Sequence, residues 1–159
     1  GDLLVRKKVK LLVSMARTFP QGEEYNVKMD SKKKKKVFTD WPSQIIFSGF
    51  EIGNEIKTGL KVIANEQLSS PVKDVYKLSM PLSEVDSKGR MSWDQTAVLV
   101  AIRGNLPYFG MKRGRIALEG AKNTWRDDPM GPHAYLTESM SFSNLSFLIE
   151  ALMQEGGRK

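Results

Sequence analysis

The 159-residue sequence contains no cysteine and a single histidine, His133. Disulfide frameworks, thiolate metal sites and cysteine nucleophiles are thereby excluded, as is a zinc site built on several imidazoles. Long hydrophobic runs are missing too. A membrane-spanning helix needs about 20 consecutive apolar residues, whereas the longest candidates, Leu11–Ala16 and Thr96–Ile102, have only the length of buried strands or short core helices. No membrane partner is expected. The first residues, Gly1-Asp2-Leu3-Leu4-Val5-Arg6-Lys7-Lys8, have neither an initiator Met nor the apolar stretch of a signal peptide. The start resembles a cut end, and the compartment is not written in the sequence.

What the chain does have is enough apolar residue, 40% of the total, to build a core. A chain of about 150 residues buries roughly 68–70% of its unfolded surface, so residues 1–159 are expected to form a single domain or the carboxyl-terminal portion of a larger one. The 25 Lys and Arg outnumber the 18 Asp and Glu, for a formal charge of +7. Much of the excess sits in Lys32-Lys33-Lys34-Lys35-Lys36, helped by Lys7, Lys8 and Lys10. A basic nucleic-acid-binding domain is one reading of such a run. It is the disfavoured one. Asp30-Ser31 reads as a helix start, Val37, Phe38 and Trp41 as the buried stripe, and the lysines as the solvated side. No aromatic residue interleaves the lysines to stack on bases.

Residues Leu3–Lys10 read as a short helical lead. Val9 through Ala16 is a near-continuous apolar run suited to a strand covered on both faces. Arg17–Met29, with Pro20 and Gly22, reads as a loop leading into the lysine helix, which Pro42 stops before a second apolar run, Gln44–Phe50. Strand, loop, helix and strand make a βαβ unit, so Leu11–Ala16 and Ile45–Phe50 are expected to lie side by side and parallel. Farther on, Gly53–Ala64 is an ambiguous helical stretch interrupted by Gly59. Pro71–Leu78 reads as a helix opened by proline, and Ser83–Arg90 as turns. Ser92-Trp93-Asp94-Gln95 has the spacing of a capping box at the head of a helix. Arg115–Glu119 and Ala134–Thr137 read as short strands separated by a loop, Lys122–Pro132. Phe142–Gln154 has Leu145, Leu148, Ile149 and Leu152 on one helical face.

Two places combine groups able to do chemistry. In Gly22-Glu23-Glu24-Tyr25-Asn26 an extended backbone would turn Glu24 and Asn26 to the same side, a carboxylate and an amide converging as sugar hydroxyls require. Asp94 sits in the first turn of its helix, where the macrodipole favours a carboxylate, and open α/β sheets hold ligands at such helix starts. Glu51, after the second strand, is a weaker candidate at the same edge. His133, between Pro132 and Ala134, reads as a structural residue of a surface loop.

Taken in order, these segments resemble the inosine–uridine-type nucleoside hydrolases. The strand Lys10–Ala16, the loop Glu24-Tyr25-Asn26 and the aspartate Asp30 are similar to that family's Met-Gly-Gly strand end, Glu-Phe-Asn loop and Asp-Pro-Glu-Ala-Ala helix start. Trp41-Pro42-Ser43, Phe47-Ser48-Gly49-Phe50-Glu51-Ile52-Gly53 and Ser92–Leu99 resemble a bacterial branch. The likeness covers the whole chain but only the carboxyl-terminal half of the enzyme. It implies a mostly parallel Rossmann-like sheet with flanking helices, incomplete as this chain stands. The implied activity is hydrolysis of the N-glycosidic bond of a ribonucleoside by a calcium-activated water. Glu24 and Asn26 fall on the ribose-binding positions and Asp94 on a calcium ligand. Trp93 falls where members carry a histidine in the leaving-group pocket. Departures accompany the likeness. The family's Asp-x-Asp-x-x-x-Asp-Asp cluster, which supplies most of the calcium site, has no counterpart here; Ala16-Arg17 replace the glycines, and Thr18 falls near a ribose-binding asparagine. The expected partners are a nucleoside or related riboside and a missing amino-terminal half or another protomer. A catalytically dead binding or assembly module with the same fold is the alternative.

Overall fold

The computed structural model describes residues 2–23, 31–119 and 122–155. Among them, a short helix α1 (Asp2–Lys8) leads into β1 (Leu11–Met15), and β2 is the two-residue strand Gly22–Glu23. Helix α2 (Ser31–Asp40) precedes β3 (Gln44–Ser48), which turns directly into α3 (Phe50–Glu55). The expected ambiguous stretch is in fact α3, the strand β4 (Lys57–Thr58) and α4 (Leu60–Ala64), with Gly59 at φ 110° making the turn that an L side chain would resist. Helix α5 (Pro71–Ser79) starts at a Ser70 cap whose hydroxyl accepts the Lys73 N–H at 3.2 Å. Two 3₁₀ turns and β5 (Arg90–Met91) lead to α6 (Trp93–Arg103), then β6 (Phe109–Glu119), β7 (Lys122–Asp127), β8 (His133–Glu138) and α7 (Phe142–Glu155).

Six strands form one sheet in the order β1-β3-β8-β6-β7-β2, and β4 pairs with β5 separately. The βαβ expectation holds: β1 and β3 are adjacent and parallel, from Leu11 opposite Gln44 to Met15 opposite Ser48, with the lysine helix between them in sequence. A mostly parallel sheet does not hold. Only β1–β3 and β3–β8 are parallel, while β8–β6, β6–β7 and β7–β2 are antiparallel. The α/β class stands with a mixed sheet. The reading went astray at β6 and β7, because an antiparallel ribbon open to water on one side needs no apolar run. The strand expected over Arg115–Glu119 therefore begins earlier, at Phe109, and Lys122–Asp127, expected as part of a loop, is a strand.

Alternation along β3 divides the core. Ile46 joins Leu99, Val100, Phe109, Leu136 and Leu145 on one side of the sheet. Ile45 and Phe47 join Phe19, Phe38, Leu118 and Tyr135 on the other. Helix α6 packs on β1 and β3, which brings its amino-terminal turn to the carboxyl ends of the parallel strands. A smaller cluster, Val62, Leu68, Tyr76 and Met80, holds α4 against α5.

Candidate functional site

The carboxyl ends of β1 and β3 are joined by backbone. The Ala16 N–H donates to the Ser48 carbonyl at 3.3 Å, and the Phe50 N–H to the Arg17 carbonyl at 2.8 Å. Between them Arg17 adopts φ 72°, a left-handed conformation rare for a side-chain-bearing residue, and its side chain is wholly buried. Such a conformation costs about 1–3 kcal/mol and persists where the surroundings fix it. Sequence reading assigned Arg17 to an ordinary loop, and nothing in the residue type signals otherwise.

Glu51 links the two turns. Its Oε2 accepts the Phe19 N–H at 3.2 Å across 32 positions of sequence. Burial holds the Glu51 carboxyl above its ordinary range, and hydrogen bonds from its own backbone and from Phe19 pull part of the way back. The glycines around it have a stated purpose. A Cβ at Gly49 would lie 2.1 Å from Glu51 Oε1, and one at Gly53 would lie 2.4 Å from the Trp93 Cα. Gly-Phe-Glu-Ile-Gly is thus a close-approach segment, letting a carboxylate fold back on one side and a tryptophan seat on the other.

Trp93 belongs to this edge. Its ring stacks on Phe50 with centroids 5.3 Å apart, and its Nε1–H donates to the Phe50 carbonyl at 3.2 Å. Behind it Ser48 and Thr96 share a hydroxyl hydrogen bond of 2.6 Å, and Thr96 Oγ1 donates to the Trp93 carbonyl at 2.7 Å, so the Ser48 hydroxyl donates in turn to Thr96. The expected capping box is absent. Ser92 makes no side-chain cap; its hydroxyl bonds that of Thr58 at 2.7 Å, and Gln95 reaches the Tyr76 hydroxyl at 3.3 Å. Buried hydroxyls from β4 and α5 win both side chains away from the helix end, while the Ser92 N–H goes to the Gly53 and Ile56 carbonyls.

Asp94 is exposed, and it lies at the mouth of a groove between α6 and α7 lined by Val98, Leu99, Ile149 and Met153. The structure brings Trp93, Phe50 and Glu51 together. Glu24 and Asn26 lie outside the described residues, as does Asp30. The described residues that precede Glu24 are held to the sheet. The Asn123 amide donates to the Thr18 carbonyl at 3.0 Å, Phe19 stacks on Tyr135 at 4.8 Å, and Gly22–Glu23 pairs with Lys122–Asn123.

His133 is a correction. It lies buried in β8 and not in a surface loop. Its Nδ1 accepts the Ile116 N–H at 3.2 Å, which leaves Nε2–H to donate to the Phe38 carbonyl at 3.0 Å. Burial holds its pKa below the ordinary value, the Phe38 carbonyl opposes this, and Arg115 adds to it. It is a structural neutral histidine tying α2 to the ribbon. Models of known protein families give no match to the chain, and a search of curated proteins finds no relative.

Proposed function

We propose that this chain is the ribose-binding, calcium-completing carboxyl half of a nucleoside hydrolase-like protein. The observation that carries this reading is the meeting at one edge of two resembling segments, Phe50–Glu51 and the Trp93 helix start, beside the Arg17–Phe19 turn that follows the first strand. The reaction adds water oxygen to the anomeric carbon of a ribonucleoside as the bond to the base nitrogen breaks; the electron pair leaves with the base, which takes up a proton. Glu24 and Asn26 are assigned to the ribose hydroxyls.

Trp93 is assigned to the base, and its role is limited. Its only N–H already donates to Phe50, so the indole offers the departing base an apolar surface and no proton. Calcium, when held by a full set, takes roughly six to eight oxygens and lowers the pKa of a bound water. The residues here do not complete such a set. Among the described residues no three acidic or histidine side chains gather as a metal site requires, and Asp94 stands as one exposed carboxylate. No catalytic step is therefore assigned to this chain by itself.

The test is complementation. The chain alone, given purine and pyrimidine ribonucleosides with calcium, is expected to release no base. Joined to an amino-terminal half carrying the aspartate cluster, it is expected to release base only with calcium, to lose most activity on Asp94→Asn, and to bind ribose more weakly on Glu24→Gln. Metal-dependent turnover by the isolated chain would overturn the half-site account. A folded, inactive assembly would favour a binding module that keeps the fold.

A further inference from the structure

We infer that β1 is a self-pairing strand, through which two copies of this chain join antiparallel about a two-fold axis normal to the sheet. β1 lies at one end of the sheet and has β3 on one side only. Two hydrogen bonds fix which of its backbone groups are already used. The Ile45 N–H donates to the Pro132 carbonyl, on the β8 side, at 3.1 Å, and the Ala16 N–H donates to the Ser48 carbonyl at 3.3 Å. Successive residues of a strand turn their N–H and C=O groups to opposite sides. Gln44, Ile46 and Ser48 therefore face β1, and Leu12 and Ser14 face β3. The N–H and C=O groups of Leu11, Val13 and Met15 point out of the sheet, with no partner among the described residues.

This edge has the make-up of an interior strand. Leu-Leu-Val-Ser-Met contains no proline and no charge of the kind that blunts an open edge. All five residues are only half-buried, whereas β3, of like composition and paired on both sides, buries four of its five. Helix α1, just before β1, does not bury Leu3 and Leu4 on the strand; they are 82% and 63% exposed. The other end of the sheet is protected. There β7 carries Lys122, Arg126 and Asp127, and the short β2 covers its first two residues.

The spacing of the outward groups selects a second copy as the occupant. Positions 11, 13 and 15 are symmetric about Val13. A second β1 laid antiparallel sets Val13 against Val13 of the partner subunit and Leu11 against Met15 of the partner subunit, each as a hydrogen-bonded pair, so every outward N–H meets a carbonyl. Leu12 lies opposite Ser14 of the partner subunit on the other face, and no charges oppose each other within the paired strands. One strand thus supplies both sides of the contact, as a two-fold interface demands. Pairing β1 with the open part of β7 would set an apolar strand against Arg126 and Asp127 and, joining two different edges, would propagate without closing. The inference is independent of the nucleoside reading, and its test uses neither calcium nor nucleoside.

The test is sedimentation of the full chain across a concentration series, with amide hydrogen exchange measured at its two ends. A monomer–dimer equilibrium is expected. Exchange at Leu11, Val13 and Met15 should slow as concentration rises, while Leu12 and Ser14, bonded to β3, stay protected throughout. Val13→Pro removes an outward N–H and keeps the β1–β3 ladder, since proline is tolerated where the N–H faces away from the sheet. It should weaken the dimer by about tenfold or more. Met15→Lys, which places a charge on the edge, should weaken it too. Circular dichroism checks that each variant is folded, and Met15→Lys serves alone if the proline variant is not. A monomer at every concentration would overturn the inference, as would a dimer indifferent to these variants or one whose Val13 amide exchanges as fast as in the monomer.

Discussion

Strand β3, in the parallel part of the sheet, buries Ile45, Ile46, Phe47 and Ser48 in succession, whereas β6, in the antiparallel part, buries only Phe109, Gly114 and Leu118 of its eleven residues. The two parts are held by different forces. Around β3, apolar side chains from helices on both faces supply the cohesion, at roughly 1.5–3 kcal/mol for each large residue fully removed from water. In the ribbon, the backbone ladder from Gly114–Asp127 to Glu119–Lys122 sets the geometry, and exposed arginines add little to it. The Arg115–Asp128 ion pair, 2.7 Å long, lies at the surface.

The largest effect should come from breaking the first kind of cohesion. Phe47 has no exposed surface and its ring meets Phe38 at 4.9 Å and Phe19 at 5.4 Å. Phe47→Ala should cost about 3–5 kcal/mol, a large share of the 5–15 kcal/mol typical of whole domains. Arg113→Ala, on the exposed side of β6, should stay within about 0.5 kcal/mol. Urea midpoints at unchanged slope measure both. Similar losses for the two would show that the ribbon carries side-chain cohesion comparable to the parallel part.

The same contrast governs what could be read from residues. Leu11–Ala16 and Ile45–Phe50 announced themselves as adjacent strands because a doubly covered strand must be apolar throughout, and Phe142–Gln154 because a helix against a core repeats its apolar face. The ribbon carries its pattern in exposure, not in composition, so Lys122–Asp127 passed for a loop. At the candidate site Trp93 and Glu51 were visible as a motif, but the reason for Gly49 and Gly53 was not, since it depends on a carboxylate and a tryptophan arriving from elsewhere. Arg17 and the Thr58–Ser92 bond were invisible for the same cause: a backbone angle and a competing hydroxyl are tertiary facts. The capping box failed there, its local chemistry sound and its partners outbid.

A smaller effect separates the two parts by pH. In the parallel part, Glu51 has its folded pKa raised above the ordinary 4.5 by burial. The folded state therefore binds the proton more tightly than the unfolded chain does, so its stabilising contribution is complete below about pH 4.5 and is lost as pH rises through the folded value. At the ribbon's joint, His133 has its folded pKa lowered from 6.5 by burial. Its contribution is present above about pH 6.5 and lost as pH falls toward the folded value, where protonation would take the Nδ1 lone pair from the Ile116 N–H. Between the two ordinary values the contributions run in opposite directions. Glu51→Gln should stabilise the protein at neutral pH relative to the parent, with the gain vanishing in acid, and removing His133 should flatten the fall in stability just below pH 6.5. Melting curves across that range measure both, and parallel pH profiles for parent and variants would refute the assignment of the two groups.

The smallest effect belongs to the lysine run, and its smallness follows from how α2 is attached. The helix holds to the body through Phe38, whose ring packs on Phe47 and whose carbonyl accepts the His133 Nε2–H. Lys36 is 81% exposed and pairs with Asp40 at 3.2 Å, an exposed pair of the kind worth only about 0.3–0.5 kcal/mol. Replacing Lys32 to Lys36 by glutamine removes that pair and also removes repulsion among five neighbouring like charges, lowering the formal charge from +7 to 7 − 5 = +2. Glutamine and lysine have nearly equal helix propensity. The opposing changes should cancel to within about 0.5 kcal/mol, and the difference between parent and variant should shrink further as salt screens the parent's lysines. Urea unfolding at low and high salt measures this. A loss several times larger, unaffected by salt, would place the lysines in buried contacts and make α2 a second cohesive element on that face of the sheet.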